Sequence, residues 1–357
     1  MDVTSVVSVS DQRLHHWLSA RFVDRARLSI DALSAPTDGY SNVTLTGCMR
    51  WTEGGHDRAE DFVLRMQPPT DSIFPGHDVL RQADILRALE GTDLPIPTIL
   101  AVESNSEVLG APFFLMQRLP GQVPNENPLY HLEGWFHQSS ADEQRQMWFD
   151  GLDLLARIAR VDWRASGLEF LRPHGDSPLE SRLRYYQDAV HWSEQCAQKD
   201  YPLLRRAGDW LAAHQPVGEP LAFSWGDAKL GNCLFDAGRL VGALDFEQAS
   251  IGSPIDDLAW WLMLDEALSR GYGVPRLAAL PTRDESIAYW ESKSGYSAEH
   301  LDYYEIYAAW RFAFIMTRIA HAFRQRGWIA PDSNMDTHNG AMTLLREHAA
   351  SHDFAEN

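Results

Sequence analysis

The spacing of hydrophobic residues divides the chain into a strand-rich first part and a helical second part. An amphipathic helix is predicted at residues 10–22 and a second helix at 77–91, each with apolar positions three and four apart. Strand-like runs lie at 41–51, 60–69 and 111–121. The Gly-Gly connection between the first two runs predicts a hairpin, and the Pro-rich stretch LPIPTILAVE reads as a link.

Beyond residue 121 the pattern is mainly helical, with an interruption by two short strands between residues 221 and 261. The predicted helices cover 140–163, 178–198, 201–215, 254–271, 283–295 and 300–327. This order predicts an α+β fold with a small antiparallel sheet followed by a larger helical lobe. We expect a nucleotide-binding domain at 1–118 and a helical domain with the catalytic loop and acceptor site at 119–357.

Composition limits the classes of partner. The chain of 357 residues has a net charge of −19, so its surface is expected to repel nucleic acid. No apolar run reaches the roughly 20 residues of a membrane helix, and the first residues lack the pattern of a secretory signal. Three widely spaced cysteines favour a reducing compartment, and a cytoplasmic location is therefore expected. The oligomeric state cannot be predicted from these features.

The segment WGDAKLGN, followed by ALDFE, carries the residues from which chemistry can be inferred. Phosphoryl transfer needs a carboxylate beside the acceptor hydroxyl and oxygen ligands that hold Mg²⁺ against the phosphates. Asp227 and Asn232 lie on one predicted loop, Asp245 ends the following hairpin, and Lys229 could reach a phosphate as a point charge. The alternative is an ordinary turn, because Asp and Asn are common there.

These residues, with GSPIDDLA after them, resemble the catalytic segment of the aminoglycoside phosphotransferase and choline kinase group within the protein-kinase-like fold. The resemblance implies ATP and Mg²⁺ as cofactors, Asp227 as the catalytic base or the group that orients the hydroxyl, and Asn232 and Asp245 as Mg²⁺ ligands. It also implies that Asp257 braces the catalytic loop. Lys229 matches the lysine of protein kinases at the same offset.

Two departures from the family pattern bear on this loop. Trp225 replaces the usual His and cannot accept a hydrogen bond, so the loop must be braced differently. Glu247 replaces the Gly of the Asp-Phe-Gly motif of protein kinases, a form familiar in the small-molecule branch.

The resemblance also assigns nucleotide contacts to the first part of the chain. Gly39, Ser41 and Asn42 lie in a turn whose backbone N–H groups could face phosphate, although a plain hairpin turn fits equally. Arg65 stands where protein kinases carry Lys, and its guanidinium can bind phosphate oxygens; an exposed arginine on an alternating strand is the alternative.

Two further assignments depend on element order. Gln82 stands where many relatives have the helix Glu, and Asp84 two residues later keeps the charge needed to pair with an arginine. The two point about 200° apart on a helix, so only one can face Arg65, and Asp84 is preferred. Adenine is expected to bond the backbone near Gln117 and Arg118, with Met116 beside the ring.

The sequence therefore predicts an ATP-dependent kinase of a hydroxyl group on a small molecule. The stretches VLGAPFFLMQRLPG and RVDWRASGL resemble a branch that includes kinase-like domains fused to acyl-CoA dehydrogenases, so a hydroxyacyl-CoA or similar metabolite is an alternative acceptor. A nucleotide-binding pseudokinase and a purely structural protein also remain open. Candidates for acceptor contacts are Tyr185, Trp192, Trp261 and Arg311, although packing within the helical part explains the three aromatic rings better.

Overall fold

The computed structural model describes residues 3–34, 43–68, 73–173, 177–352 and 354, with side chains from residue 11 onward. Contacts between residues divide the chain into two compact units. The first unit comprises Met1–Glu90 and Ile96–Leu119, and the second comprises Gly91–Pro95 and Pro120–Asn357.

The first unit contains a five-stranded antiparallel sheet in the order β1-β2-β3-β5-β4. Its strands are β1 (Ala26–Ile30), β2 (Val43–Glu53), β3 (His56–Met66), β4 (Ile99–Glu103) and β5 (Phe113–Gln117). The predicted hairpin is confirmed, because Glu53 pairs with His56 across Gly54 and Gly55, both at positive φ. Two glycines at positive φ match the twist of a two-residue hairpin loop.

Two helices accompany this sheet, α1 (Val3–Arg21) and α2 (Val79–Leu89). Leu14 and Leu18 of α1 join the buried core formed by the sheet. α2 begins at the Asp78 cap, whose side chain accepts from the N–H of Leu80. The helix predicted at 10–22 is thus found, with an earlier start.

The second unit is mainly helical. Its helices are α3 (Trp135–Gln138), α4 (Ala141–Ala159), α5 (Pro178–Ala197), α6 (Pro202–Ala213), α7 (Asp256–Leu268), α8 (Arg283–Ser294), α9 (Leu301–Gln325) and α10 (Gly340–Ser351). α7 is buried on nearly every side, which is typical of a central helix. Its mixed apolar and acidic sequence therefore places carboxylates in the interior.

Four short strands lie between α6 and α7 and position the loop that carries Asp227 and Asn232. They are β6 (Ala222–Ser224), β7 (Cys233–Asp236), β8 (Arg239–Ala243) and β9 (Ser250–Gly252). β6 pairs with β9 and β7 with β8, both antiparallel. The prediction of two strands here found the hairpin but not β9, a strand of only three residues.

β1, α3 and α10 are not predicted from the sequence, and β4 lies in the Pro-rich stretch that predicts a link. Pro95 and Pro97 both lie before the first residue of β4, so neither removes a backbone donor from the hydrogen bonds between β4 and β5. Within the described residues, no helix combines the length and apolarity needed to cross a bilayer.

Candidate active site

Asp227 lies in the loop between β6 and β7, and each of its two carboxylate oxygens accepts a hydrogen bond. Trp260 Nε1 of α7 donates to Oδ1 at 3.0 Å, and Asn232 Nδ2 donates to Oδ2 at 2.8 Å. Lys229 Nζ lies 3.6 Å from the same Oδ2. The side chain is 15% exposed, so this fixed carboxylate remains open on one side.

Asn232 is orientated by two hydrogen bonds from its amide nitrogen. Nδ2 also donates to the backbone carbonyl of Asp227 at 2.9 Å. Residues Leu230–Asn232 form a single 3₁₀ turn, which brings the side chain back to the start of the loop. With Nδ2 committed to Asp227, the carbonyl oxygen Oδ1 is the atom left to serve as a metal ligand.

The carboxylate of Asp257 braces the beginning of this loop. It accepts from Ser224 Oγ at 2.9 Å, from the Trp225 N–H at 2.7 Å and from the Gly226 N–H at 2.8 Å. Burial and neighbouring Asp256 raise the pKa of Asp257 to about 6, while the three donors act in the opposite direction. The brace is therefore ionised at pH 7. Asp257 thus braces the loop, which is the role that the family resemblance implies for it.

Arg311 of α9 supports the same loop from within the core. Its Nη2 donates to the Gly226 carbonyl at 2.8 Å and its Nη1 to Asp256 Oδ1 at 3.0 Å. The guanidinium lies 4.5 Å from the centre of the Trp260 ring, and Arg311 is fully buried. The prediction of Arg311 as an acceptor contact is wrong, because its side chain has no exposed surface with which to meet a substrate.

Trp225 braces the loop by donating a hydrogen bond. Its Nε1 donates to the Leu244 carbonyl at 2.8 Å, and its ring stacks on Phe246 with centroids 5.6 Å apart. The prediction that a different brace must replace the usual His is confirmed. The indole bonds the residue directly before Asp245 and packs on the residue directly after it.

Asp245 is therefore positioned by its neighbours on both sides. The Leu244 N–H donates to the Asn232 carbonyl at 2.9 Å, which ties the hairpin end to the catalytic loop. Asp245 itself has φ of 62°, a left-handed conformation that costs a non-glycine residue roughly 1–2 kcal/mol. Such a conformation at a candidate metal ligand is consistent with a functional constraint.

Three carboxylates act on the ammonium of Lys229. Nζ lies 3.1 Å from Glu126 Oε2, closer than it is to Asp227. Burial opposes the charge, but Asp227, Glu126 and Asp245 together raise the pKa of Lys229 above its usual value. Lys229 is thus protonated at neutral pH. Asp227 and Asp245, both predicted from the sequence, therefore lie close enough to stabilise the charge of the same ammonium.

The predicted nucleotide contacts of the first unit are placed as follows. Arg65 lies on β3, opposite Thr44 of β2 and Phe114 of β5, and is 8% exposed. The alternative of an exposed arginine is therefore wrong. Gly39, Ser41 and Asn42 lie outside the described residues, and their assignment stays a prediction.

The register of α2 contradicts the preference for Asp84. Gln82 is buried at 2% exposure and Asp84 is exposed, as the 200° between them requires. The preference rested on charge, but the apolar stripe Val79, Ala83 and Leu86 sets which face turns inward. Gln82 is the residue of this pair that lies on the buried face.

The backbone at the end of β5 is already hydrogen-bonded. The Gln117 N–H donates to the Thr98 carbonyl at 2.9 Å, and the Arg118 N–H donates to the Asp61 carbonyl at 3.0 Å. These two N–H groups are bonded within the first unit, and the assignment of adenine to the backbone near Gln117 and Arg118 stays a prediction. Met116 beside them is buried at 7% exposure.

Two residues at the site were not found from the sequence. Trp260 follows the DLA element, and its helical position one turn after Asp256 and Asp257 could have placed it near the loop. Glu126 lies in a stretch of prolines and asparagines with no periodicity, more than 100 positions before Lys229. No local pattern connects the two.

Comparison with known sequences identifies the family. Residues 38–289 match the model of the phosphotransferase enzyme family, APH. Acyl-CoA dehydrogenase family member 10 of Mus musculus is 25% identical over 310 residues, which cover 80% of this chain and 28% of that protein. Acyl-CoA dehydrogenase family member 11 of Rattus norvegicus is 22% identical over 298 residues, covering 80% and 36% respectively. The chain spans well under half the length of these relatives.

Solved structures share the fold. A protein from Ralstonia eutropha JMP134, provisionally described as an aminoglycoside phosphotransferase, superposes with a TM-score of 0.70 at 20% identity, covering 95% of this chain and 98% of the other. A thermostable mutant of aminoglycoside phosphotransferase APH(4)-Ia, in a ternary complex with ADP and hygromycin B, gives 0.55 at 16% identity, covering 93% and 98%. Since the family model matches most of the chain and these folds agree, the chain belongs to the phosphotransferase enzyme family and has its α+β, protein-kinase-like fold.

Proposed function

We propose that this protein transfers the γ-phosphoryl group of ATP to a hydroxyl group of a small molecule. The observation that carries the proposal is the Asp227 carboxylate, fixed by Trp260 and Asn232 with its Oδ2 beside the Lys229 ammonium. A fixed carboxylate next to a cation is what an acceptor hydroxyl and a transferring phosphate require. Family membership supports the same reaction class.

In the proposed reaction, Asp227 accepts the proton of the acceptor hydroxyl. A bond forms between the hydroxyl oxygen and the γ-phosphorus, and the bond between that phosphorus and the β–γ bridging oxygen breaks, releasing ADP. Lys229 offsets negative charge on the phosphate oxygens. Both side chains are held before substrate arrives, so little reorganisation is needed.

Asn232 and Asp245 are the proposed Mg²⁺ ligands. The fit is favourable because both Asn232 N–H bonds go to Asp227, which leaves Oδ1 as an oxygen ligand. Within the described residues, no group of three or more His, Cys, Asp or Glu side chains could bind a metal on its own. One amide and one carboxylate suit an ion that takes its other ligands from phosphates and water, as Mg²⁺ does. When bound, Mg²⁺ would neutralise phosphate charge.

Two classes of acceptor are proposed. One structural neighbour is an aminoglycoside phosphotransferase in a ternary complex with ADP and hygromycin B, which favours a polyhydroxylated acceptor. The similarity to acyl-CoA dehydrogenase family members over 80% of the chain favours a hydroxyacyl-CoA. A panel of both classes, scored by ADP release with Mg·ATP, separates them.

The decisive variants are Asp227→Asn and Asp245→Ala. Asp227→Asn should lower kcat about 10³-fold with nearly unchanged Mg·ATP binding, since it removes the proton acceptor only. Asp245→Ala should weaken Mg·ATP binding itself, measured by calorimetry. Asp302→Asn, at an exposed position of α9, serves as the control.

Unchanged turnover in Asp227→Asn would remove that residue from the mechanism. Mg·ATP binding by the wild type without ADP release on any acceptor would favour a pseudokinase, and no thermal shift with Mg·ATP would contradict a nucleotide site altogether.

A further inference from the structure

Lysine is rare in this chain, which makes its presence in the catalytic loop informative. Of 31 basic residues only three are lysines, Lys199, Lys229 and Lys293. Lys199 is 43% exposed and bonds Asp336, and Lys293 lies on α8. Only Lys229 is near the proposed transfer site. Whatever sets the direction of its ammonium therefore affects the reaction directly.

Glu126 is the carboxylate nearest to that ammonium. Its Oε2 lies 3.1 Å from Nζ, within hydrogen-bond distance, whereas Asp227 Oδ2 is at 3.6 Å, an ion-pair distance only. The Glu126 side chain is 35% exposed and that of Lys229 is 21% exposed. The ammonium is thus drawn toward Glu126 and away from a direct bond with the catalytic base.

The segment that carries Glu126 is fixed on both sides. Gln122 exchanges two backbone hydrogen bonds of 2.9 Å with Phe235 of β7, and Trp135 Nε1 donates to the Val123 carbonyl at 2.9 Å. Asn125 Nδ2 donates to the Glu133 carbonyl at 3.3 Å. These contacts hold the carboxylate against the catalytic loop.

The catalytic loop makes room for this carboxylate at Gly231. A Cβ atom at that position would lie 2.5 Å from Glu126 Oε1, too close for contact without movement of the side chain. Oε1 is buried and has no hydrogen-bond partner among the described residues. Glu126 is therefore packed against the turn that follows Lys229.

We propose that Glu126 is a positioning residue that holds Lys229 between itself and Asp227. The inference rests on the proposed phosphoryl transfer and extends it to a residue outside the catalytic motif. Without Glu126, the ammonium moves onto Asp227, where it occupies the lone pair that should accept the hydroxyl proton. It also turns away from the phosphate that it should neutralise.

The first experiment measures how firmly Lys229 is held and needs no substrate. Wild type and Glu126→Gln are acetylated under limiting reagent, and the labelling rates of the three lysines are compared by peptide mass spectrometry. The ratio of Lys229 to Lys293 labelling should rise several-fold in Glu126→Gln, because the ammonium loses the nearer of its two carboxylate partners and keeps only Asp227. Glu133→Gln, an exposed residue of the same segment, should leave the ratio unchanged. An unchanged ratio in Glu126→Gln would overturn the proposal.

The second experiment links the pair to turnover through a double-mutant cycle with ADP release as readout. Glu126→Gln should lower kcat about ten-fold with little change in the KM for ATP, and Glu126→Asp should restore part of it. In a Lys229→Met background, Glu126→Gln should have no further effect, because Glu126 acts through the lysine. Equal losses in both backgrounds would overturn the proposal.

The two readouts also separate this inference from the proposed function. If the wild type phosphorylates no acceptor, the transfer proposal fails, yet the labelling ratio still decides whether Glu126 holds Lys229. If Glu126→Gln does not fold, Glu126→Asp, which keeps the charge on a shorter side chain, is used. In Glu126→Asp, the ratio of Lys229 to Lys293 labelling should lie above that of the wild type. An unchanged ratio would contradict the role of Glu126 in holding Lys229.

Discussion

Gly226 occupies the most restricted backbone position of the catalytic loop. It has φ of 86°, and a Cβ atom there would lie 2.2 Å from the Gln248 carbonyl oxygen. Its N–H and carbonyl are bonded to Asp257 and Arg311. The residue directly before Asp227 therefore has no room to shift toward the Gln248 carbonyl.

Gly226→Ala should be strongly destabilising. The left-handed conformation alone costs about 1–2 kcal/mol, and the clash with backbone at 2.2 Å adds to that cost. Gly218→Ala is the matched control, since Gly218 has φ of 81° and open space around its Cβ. Urea unfolding should show a loss of about 1 kcal/mol for Gly218→Ala and several-fold more for Gly226→Ala. Equal losses would mean that strain, not the clash, decides.

Trp225→Phe should separate the stacking of the ring from its hydrogen bond. Phenylalanine keeps an aromatic ring beside Phe246 but leaves the Leu244 carbonyl without the bond of 2.8 Å, at a cost of about 1–2 kcal/mol. Mg·ATP should also bind more weakly, because Asp245 follows Leu244. Calorimetric titration measures this effect.

The control for this variant is Trp290→Phe. Trp290 is fully buried and its indole N–H has no partner among the described side chains and backbone groups, so the exchange removes similar volume and no hydrogen bond. Nucleotide affinity should stay unchanged in the control. The same loss of affinity in both variants would contradict a role for the indole bond.

At the residue scale, the sequence predicts those site residues that lie close together along the chain. Asp227, Asn232, Asp245 and Asp257 lie within 31 positions, so local order sufficed to bring them into one hypothesis. Glu126 could not be found this way, because its approach to Lys229 depends on how the segment around Gln122 pairs with β7. The preference for Asp84 over Gln82 is wrong because the apolar stripe of α2, and not side-chain charge, sets which residue faces inward.

At the scale of elements, length separates what was predicted from what was missed. The long helices α4, α5 and α9 carry several turns of amphipathic pattern, and α4 has the Ser140 capping box. β9, in contrast, has three residues, too few to show an alternation, and exists because β6 lies beside it. Short elements fixed by tertiary pairing leave little local signal.

A buried carboxylate joins several of these elements. Asp336, before α10, is fully buried and accepts from Lys199 after α5 at 2.8 Å, Tyr201 before α6 at 2.9 Å and Arg324 of α9 at 2.9 Å. Burial alone would raise the pKa of Asp336, but these donors hold that pKa below its usual value. Its ionisation therefore stabilises the junction of four helices, α5, α6, α9 and α10.

Asp336→Asn should lower stability at neutral pH by about 2 kcal/mol, since bonds to a charged group are lost. A depressed folded-state pKa means that the stabilisation is full above the unfolded-state pKa of about 3.9 and disappears as the pH falls through the folded-state value. Wild type and variant should therefore converge in acid. Urea unfolding between about pH 7 and pH 3 measures the convergence.

Asp302→Asn is the matched control for this pH series. Asp302 pairs with Arg283 at 3.2 Å but its side chain is 88% exposed, and such pairs contribute little. Its unfolding curves should follow the wild type at every pH. A difference between wild type and Asp336→Asn that is independent of pH would show that the carboxylate charge is not the source of the stabilisation.

For the molecule as a whole, net charge opposes the proposed substrate. The chain carries 50 acidic and 31 basic residues, and Mg·ATP is itself an anion. Long-range repulsion should therefore slow encounter, while local cations such as Lys229 act only at short range. The Debye length of about 10 Å at 0.1 M salt separates the two regimes.

Added salt should therefore speed nucleotide association rather than slow it. Between about 20 and 200 mM NaCl, screening of the net charge of −19 should raise the association rate of a fluorescent ATP analogue with Mg²⁺ roughly two- to five-fold. Stopped-flow fluorescence measures the rate, and the corresponding uncharged nucleoside provides the control, with a rate independent of salt. A rate that falls with salt would show that a local positive field governs encounter, and the acidity of the surface would then bear on solubility alone.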